Sequence, residues 1–229
     1  MSRTPAAHGR VGRPPVTSRA QILAAARRLI DQDGWEKLTI RGLAAEIGIG
    51  ATTLYHHVRD KDDLLFLLIN EYADSIPHPE LPADPRDRVI AAATAIHDAL
   101  AAWPWAAEVL TTDGFISRLG ESALWLVETI IAGAVESGCT PEQAVLVFRS
   151  VWYYTVGEIL IRVRAYYNHQ LAGEEVPLNA QAFPDTIDTS RLPHLASLSG
   201  QWATLAWQDT YPQGLPVFVD GLLAAYARP

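Results

Sequence analysis

The chain contains a single cysteine, Cys139, among its 229 residues. One cysteine excludes an intramolecular disulfide framework and a cysteine-rich zinc site. No apolar run approaches the roughly 18 residues of a membrane-spanning helix, and no signal-peptide pattern opens the chain. Runs of β-branched residues with a period of two are also scarce. These absences favour an all-α protein of the reducing cytoplasm, with no membrane partner.

The charge of the chain is unevenly distributed along its length. The formal net charge is −8, but residues 1–61 hold ten Lys or Arg against five Asp or Glu, a net +5. The remaining residues hold eight against 21, a net −13. A basic segment joined to an acidic remainder directs one end of the molecule toward a polyanion such as DNA and keeps the other end away.

The chain begins with a basic arm, residues 1–16, that is rich in Pro and Gly and has little to bury, so we expect it to be flexible. Arg3, Arg10 and Arg13 either lie along phosphates or enter a minor groove, or the arm is a solvated tail. Both interpretations stay open. A first helix is expected over residues 19–31 and should end at Gly34.

Residues 38–61 predict two short helices joined at a sharp angle, a helix-turn-helix. The first helix starts at Thr39 and is broken by the glycines at 48 and 50. The second helix, about 51–58, has Leu54 and Val58 as its inward face. Its outward residues are small, hydroxylated or aromatic, as in a recognition helix that approaches base edges: Ala51, Thr52, Thr53, Tyr55 and His56.

A fourth helix is expected from the acids at 60–63 to about residue 75, followed by a proline-rich connector over 76–85. The domains predicted are therefore an arm (1–16), a helix-turn-helix domain with its connecting helix (17–75) and a helical body (76–229). Further helices are expected over 87–102, from Pro104 to about 110, and over 119–137, 141–171, 192–198 and 217–227. Residues 172–190 are expected to form a mobile loop.

The N-terminal segment resembles the DNA-binding domain of the tetracycline repressor (TetR) family. The resemblance rests on the order and spacing of a D-G-W turn, LTIRGLAAEIG, TLYHHV and KDDLL. The body resembles the C-terminal domain of tetracycline repressors in ALAAWPWAAEVL, VWYYTVGEIL and PVFVDGLLAAYA. The two resemblances together imply an all-α fold with an N-terminal three-helix DNA-binding domain and a larger helical effector-binding and dimerisation domain. They also imply a homodimeric repressor that binds a palindromic operator in double-stranded DNA and is released by a small molecule.

The matching positions imply a set of DNA-contacting residues with distinct roles. The first helix of the motif contacts the DNA backbone, and the second contacts bases or adjacent phosphates. A tyrosine hydroxyl and a lysine each bind a phosphate. The residues are Thr39 and Arg41, then Ala51, Thr52, Thr53 and His56, and finally Tyr55 and Lys61. Thr39 could instead act only as a helix cap, and Arg41 could only pair with an acid.

For the effector, the aromatic residues of the body indicate an apolar cavity with a few polar groups. The candidate residues are His97, Trp103, Trp152 and Tyr153. Leu110 stands where tetracycline repressors carry a metal-binding histidine, and Ala92 and Ile96 stand at drug-facing polar positions. We therefore expect no metal or other cofactor, and an apolar or aromatic effector rather than tetracycline–magnesium.

Two other functions compete with this interpretation. Asp60, Asp62 and Asp63 could bind a metal in an all-α enzyme, but carboxylates at a helix start are better explained by the helix dipole, and no catalytic residues can be assembled. A ligand-independent DNA-binding protein is the other alternative, although it would not need so large an aromatic body.

Overall fold

A computed structural model describes residues 18–172, 190–198 and 200–227 of the chain, the side chains of 163–172 and of Ala203 excepted. Throughout these residues the regular structure is helical, which confirms the all-α prediction. The predicted basic arm (1–16) and most of the predicted loop (172–190) lie outside the described residues.

The N-terminal unit contains α1 (Arg19–Asp33), α2 (Ile40–Glu46), α3 (Ala51–Leu54) and the first part of α4 (Lys61–Ser75). A capping box starts α1: the Gln21 amide donates to Ser18 Oγ at 3.2 Å, and the Ser18 amide donates to Gln21 Oε1 at 3.0 Å. The helix ends at Gly34, whose φ of 88° suits glycine. These ends agree with the sequence patterns.

The chain divides into two compact units between Leu68 and Ile69, inside α4, whereas the connector had suggested a boundary after residue 75. The second half of α4 explains the difference, because its side chains bind body residues. Asn70 Nδ2 donates to the Arg118 carbonyl at 3.0 Å, and the Gly120 amide donates to Asn70 Oδ1 at 2.8 Å. We call residues 18–68 the head and the described residues from 69 onward the body.

The body contains the longer helices. They are α5 (Pro85–Ala102), α6 (Pro104–Val109), α7 (Glu121–Glu136), α8 (Pro141–Ala172), α9 (Pro193–Leu198), α10 (Trp202–Ala206) and α11 (Tyr211–Tyr226). A 3₁₀ turn at Phe115–Arg118 precedes α7. Helix α5 begins earlier than predicted, because Asp84 Oδ1 accepts the Asp87 amide at 3.1 Å and Pro85 suits the first helical position. Helix α10 was not predicted.

The last helix corrects the sequence interpretation. Pro212 and Pro216 were expected to precede a helix over 217–227, but α11 starts at Tyr211 and contains Pro216. A proline in the first turn removes no helical hydrogen bond, whereas Pro216 lies further in. The helix continues through it because Leu215, Val219 and Leu223 are buried on one side.

The core of the body forms where α5 contacts α7, α8 and α11. Small residues make close packing possible: Ala92, Ala93 and Ala134 are fully buried. Gly133 of α7 lies so near α5 that a Cβ atom there would be 2.7 Å from the Pro85 carbonyl oxygen and from Val89 Cγ2.

One expectation about apolar runs was wrong. By length and composition alone, Pro141–Arg162 of α8 is apolar enough to cross a membrane, and 44% of this apolar stretch is buried. It contains four charged residues among 22, so its mean hydropathy stays high. In the body, α8 contacts α5, α6, α7 and α11, as the core helix of a helical domain does.

Candidate nucleic-acid interface and body clefts

The helix-turn-helix is held from inside by apolar residues. Leu43 and Leu54 are fully buried, and Gly48 makes the turn between α2 and α3 with a φ of 71°. Thr39 caps α2, its Oγ1 accepting the Gly42 amide at 3.0 Å. The cap leaves the hydroxyl proton of Thr39 free to donate to a phosphate, so capping and DNA contact are compatible.

Helix α3 is shorter than predicted. It ends at Leu54 rather than near Val58, and residues 55–57 form a turn. The Tyr55 backbone keeps helical angles (φ −63°, ψ −13°), and Val58 is buried, so the expected inward residues still point to the core. The helix stops early because the His56 and His57 amides donate to the Thr53 and Leu54 carbonyls, three residues back rather than four.

The predicted DNA-facing residues lie on the surface of the head. Tyr55 is 54% exposed. Ala51 and Lys61 are half-buried. The remaining predicted residues are exposed: Thr39, Arg41, Thr52, Thr53 and His56. His57 is exposed as well. No ion pair among the described residues includes Arg41, so the carboxylate partner considered from sequence is not found there.

Lys61 has a second set of contacts that the sequence did not indicate. Its Nζ donates to the Glu36 carbonyl at 2.8 Å and lies 5.0 Å from the centroid of the Trp35 ring. These contacts join the start of α4 to the 3₁₀ turn before α2. Lys61 therefore supports the helix-turn-helix, and its other N–H groups remain available for a phosphate.

The acidic cluster after α3 is explained by hydrogen bonds. Asp60 Oδ1 accepts the Asp63 amide at 2.7 Å, and Asp63 Oδ2 accepts the Arg59 amide at 2.9 Å. Asp60 thus satisfies an amide in the first turn of α4, and Asp63 satisfies an amide of the chain that leads into it. Within the described residues, no group of three His, Cys, Asp or Glu is arranged to hold a metal ion.

The four candidate effector residues of the body have different surroundings. Trp103 stacks on Tyr72 with ring centroids 4.1 Å apart and also contacts Trp105. His97 stacks on Tyr211 at 3.9 Å. Trp152 and Tyr153 line the same cleft.

His97 belongs to a polar cluster between α5, α8 and the start of α11. Its Nε2 is 3.2 Å from Glu158 Oε2 and its Nδ1 is 3.0 Å from Asp98 Oδ1. Glu158 also pairs with Arg162, whose Nη2 lies 2.7 Å from Asp209 Oδ1. Sequence reasoning missed this cluster, although Glu158 and Arg162 have the helical spacing of an ion pair.

Tyr211 anchors the cluster from inside the body. Its hydroxyl lies 2.8 Å from Thr155 Oγ1 and donates to the Ala93 carbonyl at 3.3 Å. Burial is the main cause that raises the pKa of Tyr211 to about 12. The ring of His97 therefore packs on a buried phenol.

Two depressions open on the surface of the body. One, of about 430 Å³, lies between the residues that follow α6 and the middle of α8; it is lined by residues 110–116, Phe148, Arg149, Trp152, Tyr153, Val156 and Gly157. Leu110 is buried in its wall, so the position that suggested a lost metal ligand supplies apolar surface. The other, of about 740 Å³, is apolar and lies between Tyr154 and α11.

Comparisons with known families cover most of the chain. The family described as "Bacterial regulatory proteins, tetR family" matches residues 22–68. The family described as "Tetracyclin repressor-like, C-terminal domain" matches residues 78–226. The two matches fall on the head and the body.

Individual similar proteins agree with these two family matches. An HTH-type transcriptional regulator of Saccharopolyspora erythraea is 30% identical over 146 residues, which span 63% of this chain and 61% of that relative. ActR of Streptomyces coelicolor, solved with actinorhodin, has a TM-score of 0.75 and 22% identity, over 94% of this chain and 99% of that one. BioQ, solved with its double-stranded DNA operator, has a TM-score of 0.61 and 19% identity, over 91% and 99%. At these identities the two structures establish the fold.

Proposed function

Because the chain belongs to the tetR family of bacterial regulatory proteins, we propose that it is a transcriptional regulator that binds double-stranded DNA through its head. The observation that carries this proposal is the surface of α3 and the following turn. Leu54 is fully buried while Thr52, Thr53, Tyr55 and His56 are exposed beside it. Such a surface has little to pack against and suits base edges and phosphates.

The roles follow from chemistry and position. Thr39 and Arg41 contact the DNA backbone from α2. Ala51, Thr52, Thr53 and His56 approach the major groove or its adjacent phosphates, where side chains read sequence. The Tyr55 hydroxyl and the Lys61 ammonium each bind a phosphate, and these contacts set the register.

A homodimer on a palindromic operator is part of the same proposal. Apolar side chains that a monomer would leave in water support it: Ile161 of α8 is 73% exposed and Val217 of α11 is 72% exposed. Leu146 is also exposed, and the apolar depression beside Tyr154 lies between the same two helices. A second copy of the chain would bury this surface, and two-fold symmetry would present two heads to a two-fold operator.

The proposed regulator is a cytoplasmic repressor released by a small molecule. ActR was solved with actinorhodin and BioQ with a DNA operator, which makes both kinds of ligand reasonable for this chain. An effector releases the operator only if it binds the DNA-free conformation more tightly than the DNA-bound one. The known relatives are transcriptional regulators, and we assign the chain no catalytic role.

The test begins with a selection of genomic DNA fragments by the purified protein. We expect one palindromic site to be enriched. Tyr55→Phe should weaken binding to it about fivefold for each hydroxyl removed, with an unchanged salt dependence, because no charge is removed. Lys61→Ala should weaken it and also reduce the salt slope by about 0.9 for each phosphate that is no longer neutralised.

Lys37→Ala is the matched control, since Lys37 and Lys61 are the two lysines of the chain and both lie in the head. It removes the same charge and should change affinity less than Lys61→Ala. The proposal fails if no duplex is selected at any salt concentration, with or without added cell extract. Equal losses for the two lysine variants would remove the assigned role of Lys61.

A further inference from the structure

The cleft of about 430 Å³ between the residues after α6 and the middle of α8 has an aromatic floor. Trp152 is 8% exposed and stacks on Phe115 with ring centroids 4.9 Å apart. Phe148 and Leu110 are buried beside it. A flat aromatic molecule could therefore lie on a surface that is already formed. We call this depression the Arg149 cleft.

Arg149 stands at the rim of the cleft without a carboxylate partner among the described residues. Its Nη2 donates to the Tyr153 hydroxyl at 2.9 Å, and its guanidinium carbon lies 5.6 Å from the Tyr153 ring. By contrast, Arg86, Arg88 and Arg162 of the body each pair with a carboxylate. A guanidinium with donors to spare can bind a carboxylate or sulfonate in a forked geometry.

Gly157 keeps the opposite end of the cleft open. It lines the cleft in the middle of α8, where glycine is less favourable than alanine. A Cβ atom added there would meet no other atom within 4 Å. Packing therefore does not require glycine at this position. The missing side chain of Gly157 leaves space in the cleft.

We propose that the Arg149 cleft binds a small aromatic anion, with the ring on Trp152 and the acidic group on Arg149. The idea rests on the proposed function in one respect, namely that this anion acts as the effector. Asp113 lies on the other side of the cleft. The anionic group is therefore directed toward Arg149, and a hydroxyl or amine at the other end of the ligand would face Asp113.

The test uses two fluorescent probes with the same ring system on the full-length protein. Anilinonaphthalene sulfonate carries an anion, and N-phenylnaphthylamine is its neutral counterpart. We expect Arg149→Met to weaken binding of the sulfonate probe about tenfold and to leave the neutral probe unchanged, because only the charge-assisted hydrogen bonds are removed. Asp113→Asn should act in the opposite direction and tighten binding of the sulfonate alone.

Gly157→Leu should weaken both probes, because its side chain enters the cleft. Gly157→Ala should do so less, and thermal melting followed by circular dichroism should show that both variants remain folded. Equal effects of Arg149→Met on the two probes would overturn the proposal. The proposal would also be overturned if Arg149→Met changed the association state in sedimentation without changing the probe preference. The cleft would then be an interface with a second copy of the chain.

Operator binding is measured separately. If the wild-type protein binds no operator but prefers the sulfonate probe through Arg149, the regulator proposal fails and the ligand assignment stands. If operator binding is intact and probe preference is absent, the assignment fails alone.

Discussion

Most side-chain hydrogen bonds within the head are local in sequence, whereas several within the body join distant helices. In the head, side-chain caps join residues three apart, as in the bonds of Ser18 with Gln21 and of Thr39 with Gly42. In the body, side chains join helices that are distant in sequence. Arg86 binds Asp220, and the Tyr211 hydroxyl donates to the Ala93 carbonyl.

This difference explains why the two regions respond differently to sequence-based reasoning. A cap or a glycine turn acts within one helical turn, so the residue types near a helix end are enough to predict it. A contact between distant helices depends on how they pack, and the same residue type has different consequences at different places. Substitutions at residues of both kinds test this contrast.

Two glycines of the body should give opposite results when replaced by alanine. Gly133→Ala should lower the free energy of unfolding by about 1–3 kcal/mol, because the new Cβ would collide with α5. Gly157→Ala should raise it by about 0.5–1 kcal/mol, because alanine favours a helix and nothing is near. Urea unfolding followed by circular dichroism measures both. A higher stability of Gly133→Ala would contradict the close packing of α7 on α5, and a lower stability of Gly157→Ala would contradict the open space at that position.

Tyr211→Phe should lower the stability of the body by about 1 kcal/mol at neutral pH, because two buried hydrogen bonds are removed. It should also change the dependence on pH. The pKa of Tyr211 is raised from 10.0 to about 12, so the folded protein keeps a proton that the unfolded chain releases. Stability is unaffected below pH 10 and falls as the pH rises toward 12, by up to about 1.4 kcal/mol per pH unit.

Denaturation at several values between pH 9 and pH 11 checks this expectation. The stability difference between wild type and Tyr211→Phe should narrow as the pH increases, because the variant lacks this ionisation. A constant difference over that range would show that Tyr211 titrates normally.

Thr39→Ala should destabilise the head by about 1 kcal/mol because it removes the cap, and Thr39→Ser should restore it. Trp35 is the single tryptophan before residue 69, so fluorine NMR of protein labelled with fluorotryptophan reports on the head alone. Thermal loss of the Trp35 signal should occur at a lower temperature in the alanine variant, with the body signals unchanged. Equal shifts of head and body signals would contradict the local character of this cap.

Asp220→Asn should have the smallest effect, below about 1 kcal/mol, because both partners of the Arg86–Asp220 pair are partly in water and Arg86 keeps Asp87. The hydrogen bonds from Arg86 hold the pKa of Asp220 below its ordinary 3.8. The contribution is therefore present above that pH and lost as the pH falls through the lower folded value. The stability difference between wild type and Asp220→Asn should therefore disappear at that lower pH, as measured by acid unfolding. A persistent difference would indicate a role beyond the ion pair.

The sequence predicted much of the head and only part of the body. The ends of α1 and the break at Pro104 were confirmed. The extent of α3, the start of α5, the course of α11 through Pro216 and the existence of α10 were not predicted. Burial of Leu215 and Val219 outweighs the local cost of a proline, which no pattern around residue 216 reveals.

For the candidate sites the division is similar. The exposure of the residues proposed to face DNA was predicted from sequence, because exposure around a short helix follows from the spacing of Leu54 and Val58. The effector candidates were chosen by residue type, and packing separated them: Trp103 stacks on Tyr72 and His97 lies among carboxylates. Arg149 was overlooked because an arginine on a long helix gives no sign of whether an acid lies beside it.

The helical class, the basic charge of residues 1–61 before an acidic remainder, and the helix-turn-helix with its caps could be predicted from the amino-acid sequence alone. These properties depend on charge and on periodicity within a few residues. The tertiary structure decided which aromatic residues became core and which line a cleft, and which arginines have partners. Those outcomes depend on the spacing between α5, α7, α8 and α11, which arises only when the helices pack.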